Sequence, residues 1–289
     1  MQNLQWYPGH MTKTRRMIEE NLKMIDVVIE ILDARIPYSG RNPHFNDIIK
    51  NKPRLIVMNK ADLADKELTN RWIEYYKKNG LKVIPISCNT GMGLNKVINE
   101  ARALIQDKID RDKEKGRTRT LKVMMVGIPN VGKSSLINRL VGRASTKTGD
   151  KPGVTRGKQW IRLKGDVELL DTPGILAPKF EDQEVAKKLA YTGAIKDEIM
   201  NTELLSYSLC ELLRDNYPNL LCARYKLDSV DGLQGHEILE KISRKRGFII
   251  SGGEIDTERG ANMLLDELRG AKIGNITLET PDDFNKNEL

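Results

Sequence analysis

Short apolar runs rich in β-branched residues recur along the first 177 residues, and helical patterns separate them. The runs are Ile25–Leu32, Leu55–Met58, Val83–Ile86, Val123–Val126, Gln159–Leu163 and Val167–Leu170. Most are continuous rather than alternating, as expected of strands that are buried on both faces of a parallel sheet. Apolar residues recur at helical spacing in Asp65–Asn79, Leu94–Ile105 and Lys133–Val141. The pattern predicts an α/β fold with right-handed crossover helices.

From residue 178 onward, helical patterns replace the strand patterns almost completely. They cover Glu184–Ala194, Thr202–Asp215, Gly235–Lys245 and Thr257–Arg269. We therefore expect two domains, an α/β domain over 1–177 and a smaller, mainly helical domain over 178–289. The charged stretch Gln106–Thr120, whose only apolar residue is Ile109, predicts the fraying end of a helix followed by a linker.

The composition is that of an ordinary globular protein, with 289 residues of which 39% are hydrophobic and 30% charged. No apolar stretch approaches the roughly 20 residues of a membrane helix, and the N-terminal residues lack the apolar core of a signal peptide. Cys88, Cys210 and Cys222 are far apart, which is typical of reducing compartments. We expect a cytoplasmic protein without membrane association, and nothing indicates an obligate dimer, so we expect a monomer.

The formal net charge of +8 is unevenly distributed. Residues 1–177 hold 33 Lys and Arg against 19 Asp and Glu, a net charge of +14, whereas residues 178–289 hold 15 against 21, a net charge of −6. Such a surplus indicates a polyanionic partner, because Lys and Arg gain free energy by displacing counterions from phosphates. The alternative is a well-solvated basic surface without such a partner.

A glycine-rich segment directly after Val123–Val126 gives the strongest functional signal. Gly127–Ser135 (GIPNVGKSS) fits the phosphate-loop pattern G-x-x-x-x-G-K-[ST] between a predicted strand and a predicted helix. Its glycines let backbone N–H groups face phosphates at a helix N-terminus. The Lys133 ammonium would reach the β- and γ-phosphates as a catalytic cation, and the Ser134 hydroxyl would bind Mg²⁺. The residues predicted to bind nucleotide here are Asn130, Val131, Gly132, Lys133, Ser134 and Ser135.

A second phosphate-side motif, Asp171–Gly174 (DTPG), follows the run Val167–Leu170. Asp171 would hold Mg²⁺ through water, and the Gly174 N–H would face the γ-phosphate. Thr155, in the loop between the two motifs, would complete the Mg²⁺ shell. Ras-like enzymes orient the attacking water with a glutamine directly after DxxG, and this position is Ile175. Because isoleucine cannot hydrogen-bond water, we expect low intrinsic turnover.

Base recognition is predicted from two loops earlier in the chain. Asn59–Asp62 (NKAD) follows Leu55–Met58, and Ser87–Gly91 (SCNTG) follows Val83–Ile86. The Asp62 carboxylate would accept hydrogen bonds from both N1–H and N2–H₂ of guanine, a donor pair that adenine lacks. A backbone N–H of the second loop would face guanine O6. The two loops predict a GTP site, with Asn59, Lys60, Asp62, Ser87 and Cys88 as base-binding residues.

The order of the motifs differs from that of ordinary Ras-like domains, in which the phosphate loop comes first and NKxD later. With NKAD and SCNTG ahead of the phosphate loop, the sequence resembles the circularly permuted GTPases of ribosome assembly. Its bacterial members are similar to this chain in Trp6–Met11 (WYPGHM), Asp33–Pro37 (DARIP), Arg246–Gly247 and Arg269–Gly274. The resemblance implies a circularly permuted Ras-like phosphate-loop sheet in which Gln106–Thr120 joins the original ends. Cys88 stands where the family usually has alanine, a position at which only the backbone is expected to matter.

The resemblance also implies a function, namely GTP hydrolysis on the immature large ribosomal subunit late in assembly, with stimulation by the particle and contact with rRNA. It implies RNA binding by the helical domain, for which Arg244–Arg246 is the candidate patch. Asn130 matches an asparagine associated with K⁺-assisted hydrolysis. His10 is implied to orient the attacking water, since a histidine pKa near neutrality suits proton transfer.

Two alternatives stay open at this point. His10 could instead belong to a rigid N-terminal docking segment that packs Trp6 and Tyr7. The whole protein could also be a GTP-gated RNA-binding placeholder with negligible hydrolysis, an interpretation that Ile175 favours.

Overall fold

The computed structural model describes residues 8–43, 45–49, 52–142, 159–172, 174, 182–195 and 201–284, without the side chains of 8–14 and 159. The strands are β1 Val27–Asp33, β2 Arg54–Asn59, β3 Lys82–Pro85, β4 Leu121–Val126, β5 Gln159–Leu163 and β6 Val167–Asp171. The helices are α1 Pro8–Leu22, α2 Phe45–Ile49, α3 Lys66–Lys78, α4 Leu94–Ala103, α5 Gln106–Glu114, α6 Lys133–Val141, α7 Gln183–Tyr191, α8 Thr202–Asn216, α9 Pro218–Tyr225, α10 Gly235–Lys245 and α11 Thr257–Arg269. A 3₁₀ turn covers Pro281–Asp283.

The strands form one sheet in the order β3-β2-β1-β4-β6-β5. All neighbours are parallel except β5, which pairs antiparallel with β6 at the edge. β4, which leads into the phosphate loop, lies between β1 and β6, although β1, β2 and β3 all precede it in the chain. The predicted α/β fold with a mainly parallel sheet is confirmed.

The central strand β1 is buried along its whole length, which explains its nearly continuous apolar sequence. Glu30, an acidic residue in the middle of this strand, is fully buried and paired with two arginines. The Glu30 carboxylate lies 3.3 Å from Nε of Arg41 and 3.1 Å from Nη1 of Arg54. Burial of a charge is costly unless it is paired, and these contacts supply the pairing.

The C-terminal part of the chain is helical, as predicted, and α8, α10 and α11 pack against one another. One continuous cluster of buried apolar residues runs from the sheet into these helices. A second cluster around Trp72 and Tyr76 covers the opposite face of β1, β2 and β3. The helical part therefore packs directly on the sheet within the described ranges. The proposed domain boundary at 177/178 lies outside the described residues and stays a prediction.

Some elements differ from the sequence prediction. The helices α1, α2 and α9 were not predicted, because their apolar residues are few or lack a clear helical period. Gln106–Thr120 was predicted as a fraying helix end, whereas α5 is a separate helix that starts after Ile105. Ile109 is buried against the core and anchors α5, which the charged composition around it conceals. No helix in the described part of the chain is long and apolar enough to cross a membrane.

Truncation of Ile29 should lower the free energy of unfolding by about 2–5 kcal/mol, because Ile29→Ala leaves a cavity at the sheet centre. Ile29 is fully buried and lies opposite Leu55 and Met125 in the neighbouring strands. Leu204→Ala is the control, since Leu204 is 53% exposed, and it should change stability by less than about 0.5 kcal/mol. Urea denaturation followed by circular dichroism measures both, and a loss below about 1 kcal/mol for Ile29→Ala would contradict the buried position.

Candidate functional site

The parallel register places the carboxyl ends of five strands at one edge of the sheet. Asp33 of β1 lies opposite Asn59 of β2, and Met125 of β4 lies opposite Asp171 of β6. The loops that follow these strands contain all the predicted nucleotide motifs that fall within the described residues. In open α/β sheets, ligands bind outside the carboxyl ends of the strands. This edge is therefore the candidate site.

The Asn59 side chain joins three of these loops. It is buried, and its Nδ2 donates to the carbonyl oxygen of Val131 in the phosphate loop at 2.8 Å. Its Oδ1 accepts from the backbone N–H of Cys88 at 3.1 Å. Gly132 has φ +96° in the left-handed region, and a Cβ at this position would lie 2.3 Å from the Asn59 Nδ2. Only glycine fits at this position. The Asn59 amide, which occupies the space beside Gly132, connects both base loops to the phosphate loop by hydrogen bonds.

A cavity of about 730 Å³ opens between these loops. It is lined by Asn59, Lys60, Asp62, Leu63, Cys88, Asn89, Gly132, Ser135, Asn138, Arg139 and Gly142. The structure thus brings six of the predicted site residues to one cavity, namely Asn59, Lys60, Asp62, Cys88, Gly132 and Ser135. Its volume is within the usual range for small-molecule sites. Their individual roles toward a nucleotide stay predictions.

Lys133 lies beneath the phosphate loop in the first turn of α6. Its ammonium is 3.2 Å from the Ile128 carbonyl oxygen and 3.4 Å from that of Gly127. Burial lowers the pKa of Lys133 to about 8, against the attraction of Asp171, which raises it. A phosphate beside this ammonium would favour the charged form. Ser134, the next residue, is half-buried in the same helical turn.

The DTPG segment packs on the phosphate loop from the other side. Asp171 is buried at the end of β6, and the hydroxyl of Thr172 donates to the Met125 carbonyl oxygen at 2.7 Å. A Cβ at Gly174 would lie 2.8 Å from the backbone nitrogen of Pro129, so the two loops are in close backbone contact. Thr155, Ile175 and the side chain of His10 lie outside the described residues.

The second base loop is held by its own side chains and by α6. Ser87 is buried and does not line the cavity, and its Oγ accepts from the Thr90 N–H at 3.0 Å. Burial raises the pKa of the Cys88 thiol to about 11. The thiol therefore stays protonated near neutral pH, and the expectation that only the Cys88 backbone matters to the nucleotide stays a prediction.

Sequence reasoning missed Arg139 of α6. Its Nε donates to the Cys88 carbonyl oxygen at 2.8 Å and its Nη2 donates to that of Asn89 at 2.8 Å. The side chain therefore fixes the SCNTG loop against the helix that follows the phosphate loop. A signal existed in the polar stripe Ser135, Asn138, Arg139 and Gly142, whose helical spacing places these residues on one face of α6.

Asn130 connects the phosphate loop to the helical part of the chain. Its Nδ2 donates to the Gly193 carbonyl oxygen at 2.8 Å, directly after α7. Asn130 itself has φ +58°, a left-handed conformation that asparagine adopts more readily than most residues. The family resemblance connects Asn130 with K⁺, which stays a prediction, and its contact with Gly193 has no counterpart in the sequence pattern.

A buried ion-pair network lies behind the first base loop. Lys60 Nζ is 2.9 Å from Asp33 Oδ2, and the Arg35 guanidinium donates to both Asp33 oxygens at 3.0 and 2.8 Å. Burial alone would raise the pKa of Asp33, but the charges and hydrogen bonds of Arg35 and Lys60 hold it well below its usual range. Arg35 also donates to the Arg269 carbonyl oxygen at 3.1 Å, at the end of α11.

The candidate RNA patch Arg244–Arg246 is only partly available. Arg246 lies 3.1 Å from the Glu267 carboxylate and packs over the Tyr225 ring at 5.3 Å. Arg244 pairs with Glu240 at 2.9 Å, but both side chains are largely exposed. All three residues are exposed, but Arg246 is engaged by Glu267 and Tyr225, which leaves Arg244 and Lys245 as the more available cations.

Comparisons with known proteins agree with this geometry. Residues 122–209 match the family model described as "50S ribosome-binding GTPase". Ribosome biogenesis GTPase A of Bacillus cereus is 47% identical over 282 residues, which cover 97% of this chain and 95% of that protein. GNP-bound YlqF from T. maritima is similar in structure, with a TM-score of 0.66, 28% identity and coverage of 94% and 100%. The GDP-bound structure of TM YlqF has a TM-score of 0.65, 28% identity and coverage of 93% and 100%.

The comparisons confirm the predicted resemblance to bacterial permuted ribosome-assembly GTPases, and with it the circularly permuted phosphate-loop fold.

Replacement of Asn59 by alanine should weaken GDP binding by about 10²-fold, because the Val131 carbonyl and the Cys88 N–H would each lose a buried partner. Asn216→Ala is the control, since its Nδ2 also donates to a backbone carbonyl, that of Leu212 at 3.0 Å, but at the exposed last residue of α8. Titration with a fluorescent GDP analogue measures both variants. Unchanged affinity in Asn59→Ala would show that the loops do not need this amide.

Proposed function

The chain belongs to the ribosome biogenesis GTPase A family, and from this premise we propose that it hydrolyses GTP while bound to an immature large ribosomal subunit. Hydrolysis of GTP is the activity shared by the family. The finer steps, namely binding of the precursor and its rRNA, stimulation by the particle and release after hydrolysis, are part of the proposal. The observation that supports it best is the joining of the NKAD, SCNTG and phosphate loops around one cavity by Asn59.

Guanine recognition would rest on Asp62. Asp62 lines the cavity together with Lys60 and the loop that contains Cys88. A carboxylate accepts hydrogen bonds only, so it pairs with the N1–H and N2–H₂ of guanine and leaves adenine without a matching donor pair. The Lys60 ammonium is held by Asp33 beside the same loop. The Lys60 side chain of the base loop would thus be held in place before nucleotide binds.

The phosphates would lie on the N-terminal end of α6. The loop before α6 offers backbone N–H groups, and Lys133 supplies the positive charge. Ser134 and Asp171, together with Thr155, would hold Mg²⁺, which neutralises charge on the β- and γ-phosphates when bound. The fit is chemically suitable, because hydroxyl and carboxylate oxygens are hard donors. Across the described ranges no cluster of three or more His, Cys, Asp or Glu could hold a metal alone, in keeping with an Mg²⁺ site completed by phosphates and water.

Hydrolysis would remain slow until the particle is bound. Ile175 takes the place of the usual water-orienting glutamine, so another group must orient the attacking water. We assign this role to His10, whose side chain can accept a proton near neutral pH. K⁺ near Asn130 is a further element of the proposal. Since the Asn130 amide nitrogen donates to Gly193, the amide oxygen is the atom that such a cation would contact.

The ribosomal partner is supported by charge and by the relatives. Residues 1–177 have a net charge of +14, far more than one triphosphate requires. The similar bacterial proteins are named for ribosome biogenesis, and the family model that matches residues 122–209 is described as a 50S ribosome-binding GTPase. A monomeric, cytoplasmic protein would suit this task. RNA contact by the acidic half, 178–289, would have to use local groups such as Arg244 and Lys245.

Asp62→Asn should weaken GTP binding by about 10²-fold or more and improve xanthosine triphosphate binding, because the amide donates where the carboxylate accepted. Asp65→Asn is the matched control, since the Asp65 side chain accepts from the Leu68 N–H as the α3 cap and asparagine caps equally well. Competition titrations with both triphosphates measure the change. An Asp62→Asn protein that still prefers GTP would contradict the base assignment.

Immature large subunits should accelerate single-turnover GTP hydrolysis by the parent protein. His10→Ala should lower the stimulated rate by about 10²-fold, the usual contribution of a positioned proton acceptor. His236→Ala is the control, because His236 lies in the helical part beside Tyr207, with ring centroids 6.2 Å apart. If the parent sediments with the particles in a GTP-dependent way but its rate does not rise, the protein is a GTP-gated placeholder and the hydrolytic proposal is wrong.

A further inference from the structure

Residues 275–279, which lie a few residues after the end of α11, contact the first base loop. Asn275 Nδ2 donates to the Asp62 carbonyl oxygen at 3.0 Å. The backbone N–H of Ile276 donates to the Leu63 carbonyl oxygen at 3.2 Å. We call residues 275–279 the C-terminal segment. Its first two residues thus bond to the very residues that line the cavity beside the predicted guanine position.

The contacts continue along the C-terminal segment. The Thr277 Oγ1 accepts from the Asp65 N–H at 3.1 Å, at the start of α3. The N–H of Leu278 donates to the Arg35 carbonyl oxygen at 2.8 Å. Glu279 is fully buried and accepts from the Ser39 N–H at 3.0 Å, and burial raises its pKa. Asn275 is exposed, whereas residues 276–279 are all buried and form part of the packed structure.

The C-terminal segment is itself attached to the helical part. The Tyr217 hydroxyl, between α8 and α9, donates to the Thr277 carbonyl oxygen at 2.9 Å. Glu279 is 3.5 Å from the Lys188 ammonium of α7. The first base loop is therefore connected through residues 275–279 to helices far from it in sequence.

We infer that the C-terminal segment positions the guanine-recognition loop, with Asn275 and Thr277 acting as positioning residues for Asp62. This inference rests on the proposed function, because it takes Asp62 to be the group that pairs with guanine. The loop needs such support. Lys60 has φ +61°, a left-handed conformation unusual for lysine, so the backbone must be held by its surroundings.

A bidentate pairing tolerates little error in the position of the carboxylate. Asn275 and Ile276 hold the backbone at the carbonyl groups of Asp62 and Leu63, and Thr277 holds it at the Asp65 N–H. The C-terminal segment thus restrains the backbone at Asp62 and over the three residues that follow it. Loss of one restraint should weaken the pairing of the Asp62 carboxylate with guanine, because that pairing depends on the orientation of the carboxylate. The contacts with the phosphates should stay unchanged.

The test compares GDP with IDP, which lacks the 2-amino group and so offers only one donor to Asp62. Asn275→Ala should lower the preference for GDP over IDP by about three- to tenfold, the value of a hydrogen bond whose geometry is degraded. Thr277→Val, which leaves the Asp65 N–H without its acceptor, should lower it by at least as much. Asn262→Ala is the control, because its Nδ2 donates to the Glu258 carbonyl oxygen at the same 3.0 Å but in α11, remote from the loop.

Titrations with GDP and IDP measure the nucleotide preference of each variant, and melting temperatures show whether the variant is folded. The inference is supported if the GDP preference falls in Asn275→Ala and Thr277→Val while Asn262→Ala keeps the parental preference. It is overturned if both variants keep the parental preference, or if GDP and IDP weaken equally. Asp62→Asn serves as the separate arm. If that variant also keeps the parental preference, the base assignment itself fails, whereas a changed preference in Asp62→Asn alone refutes only the role of the C-terminal segment.

Discussion

One buried amide holds the candidate site together. Asn59 donates to the phosphate loop through Val131 and accepts from the second base loop through Cys88. Both groups of this side chain are used, and the absence of a Cβ at Gly132 makes room for it. A site that must bind a base at one end and phosphates at the other needs a fixed distance between the two loops. A short, buried amide that is hydrogen-bonded through both its nitrogen and its oxygen sets that distance with little conformational freedom.

The helical part of the chain is coupled to the same site at two places. On the phosphate side, Asn130 donates to Gly193 after α7. On the base side, Arg35 donates to the Arg269 carbonyl at the end of α11 and also pairs with Asp33, which holds Lys60. The ends of α7 and α11 are joined in turn, because the Arg269 guanidinium donates to the carbonyl oxygens of Ala190 and Tyr191. These contacts, together with the Asn59–Val131 hydrogen bond, form a closed ring that includes the phosphate loop and the first base loop.

The sequence was sufficient for those features that depend on local spacing. Each motif follows a buried parallel strand, and parallel strands place their carboxyl ends at one edge, so the meeting of Asp62 and Gly132 at one cavity could be predicted. The polar stripe of α6 places Arg139 on one face of the helix, but its acceptor could not be predicted, and neither could that of Asn275, because both acceptors are backbone carbonyls that have no sequence signature. The helix α9 was missed for a related reason, since its sequence shows little amphipathic period and its burial depends on tertiary packing.

The permuted order of the chain gives these long-range contacts their importance. Gly174, which contacts the phosphate loop, precedes the helical part in the chain, and residues 275–279, which follow it, contact the loop that contains Asp62. The helices are therefore connected to one end of the site by the covalent chain and to the other by hydrogen bonds. A displacement of α7–α11 relative to the sheet must change the contacts at one end or both. A partner that binds the displaced helices more tightly therefore changes the affinity for nucleotide. Because linkage is reciprocal, nucleotide changes the affinity for that partner by the same factor.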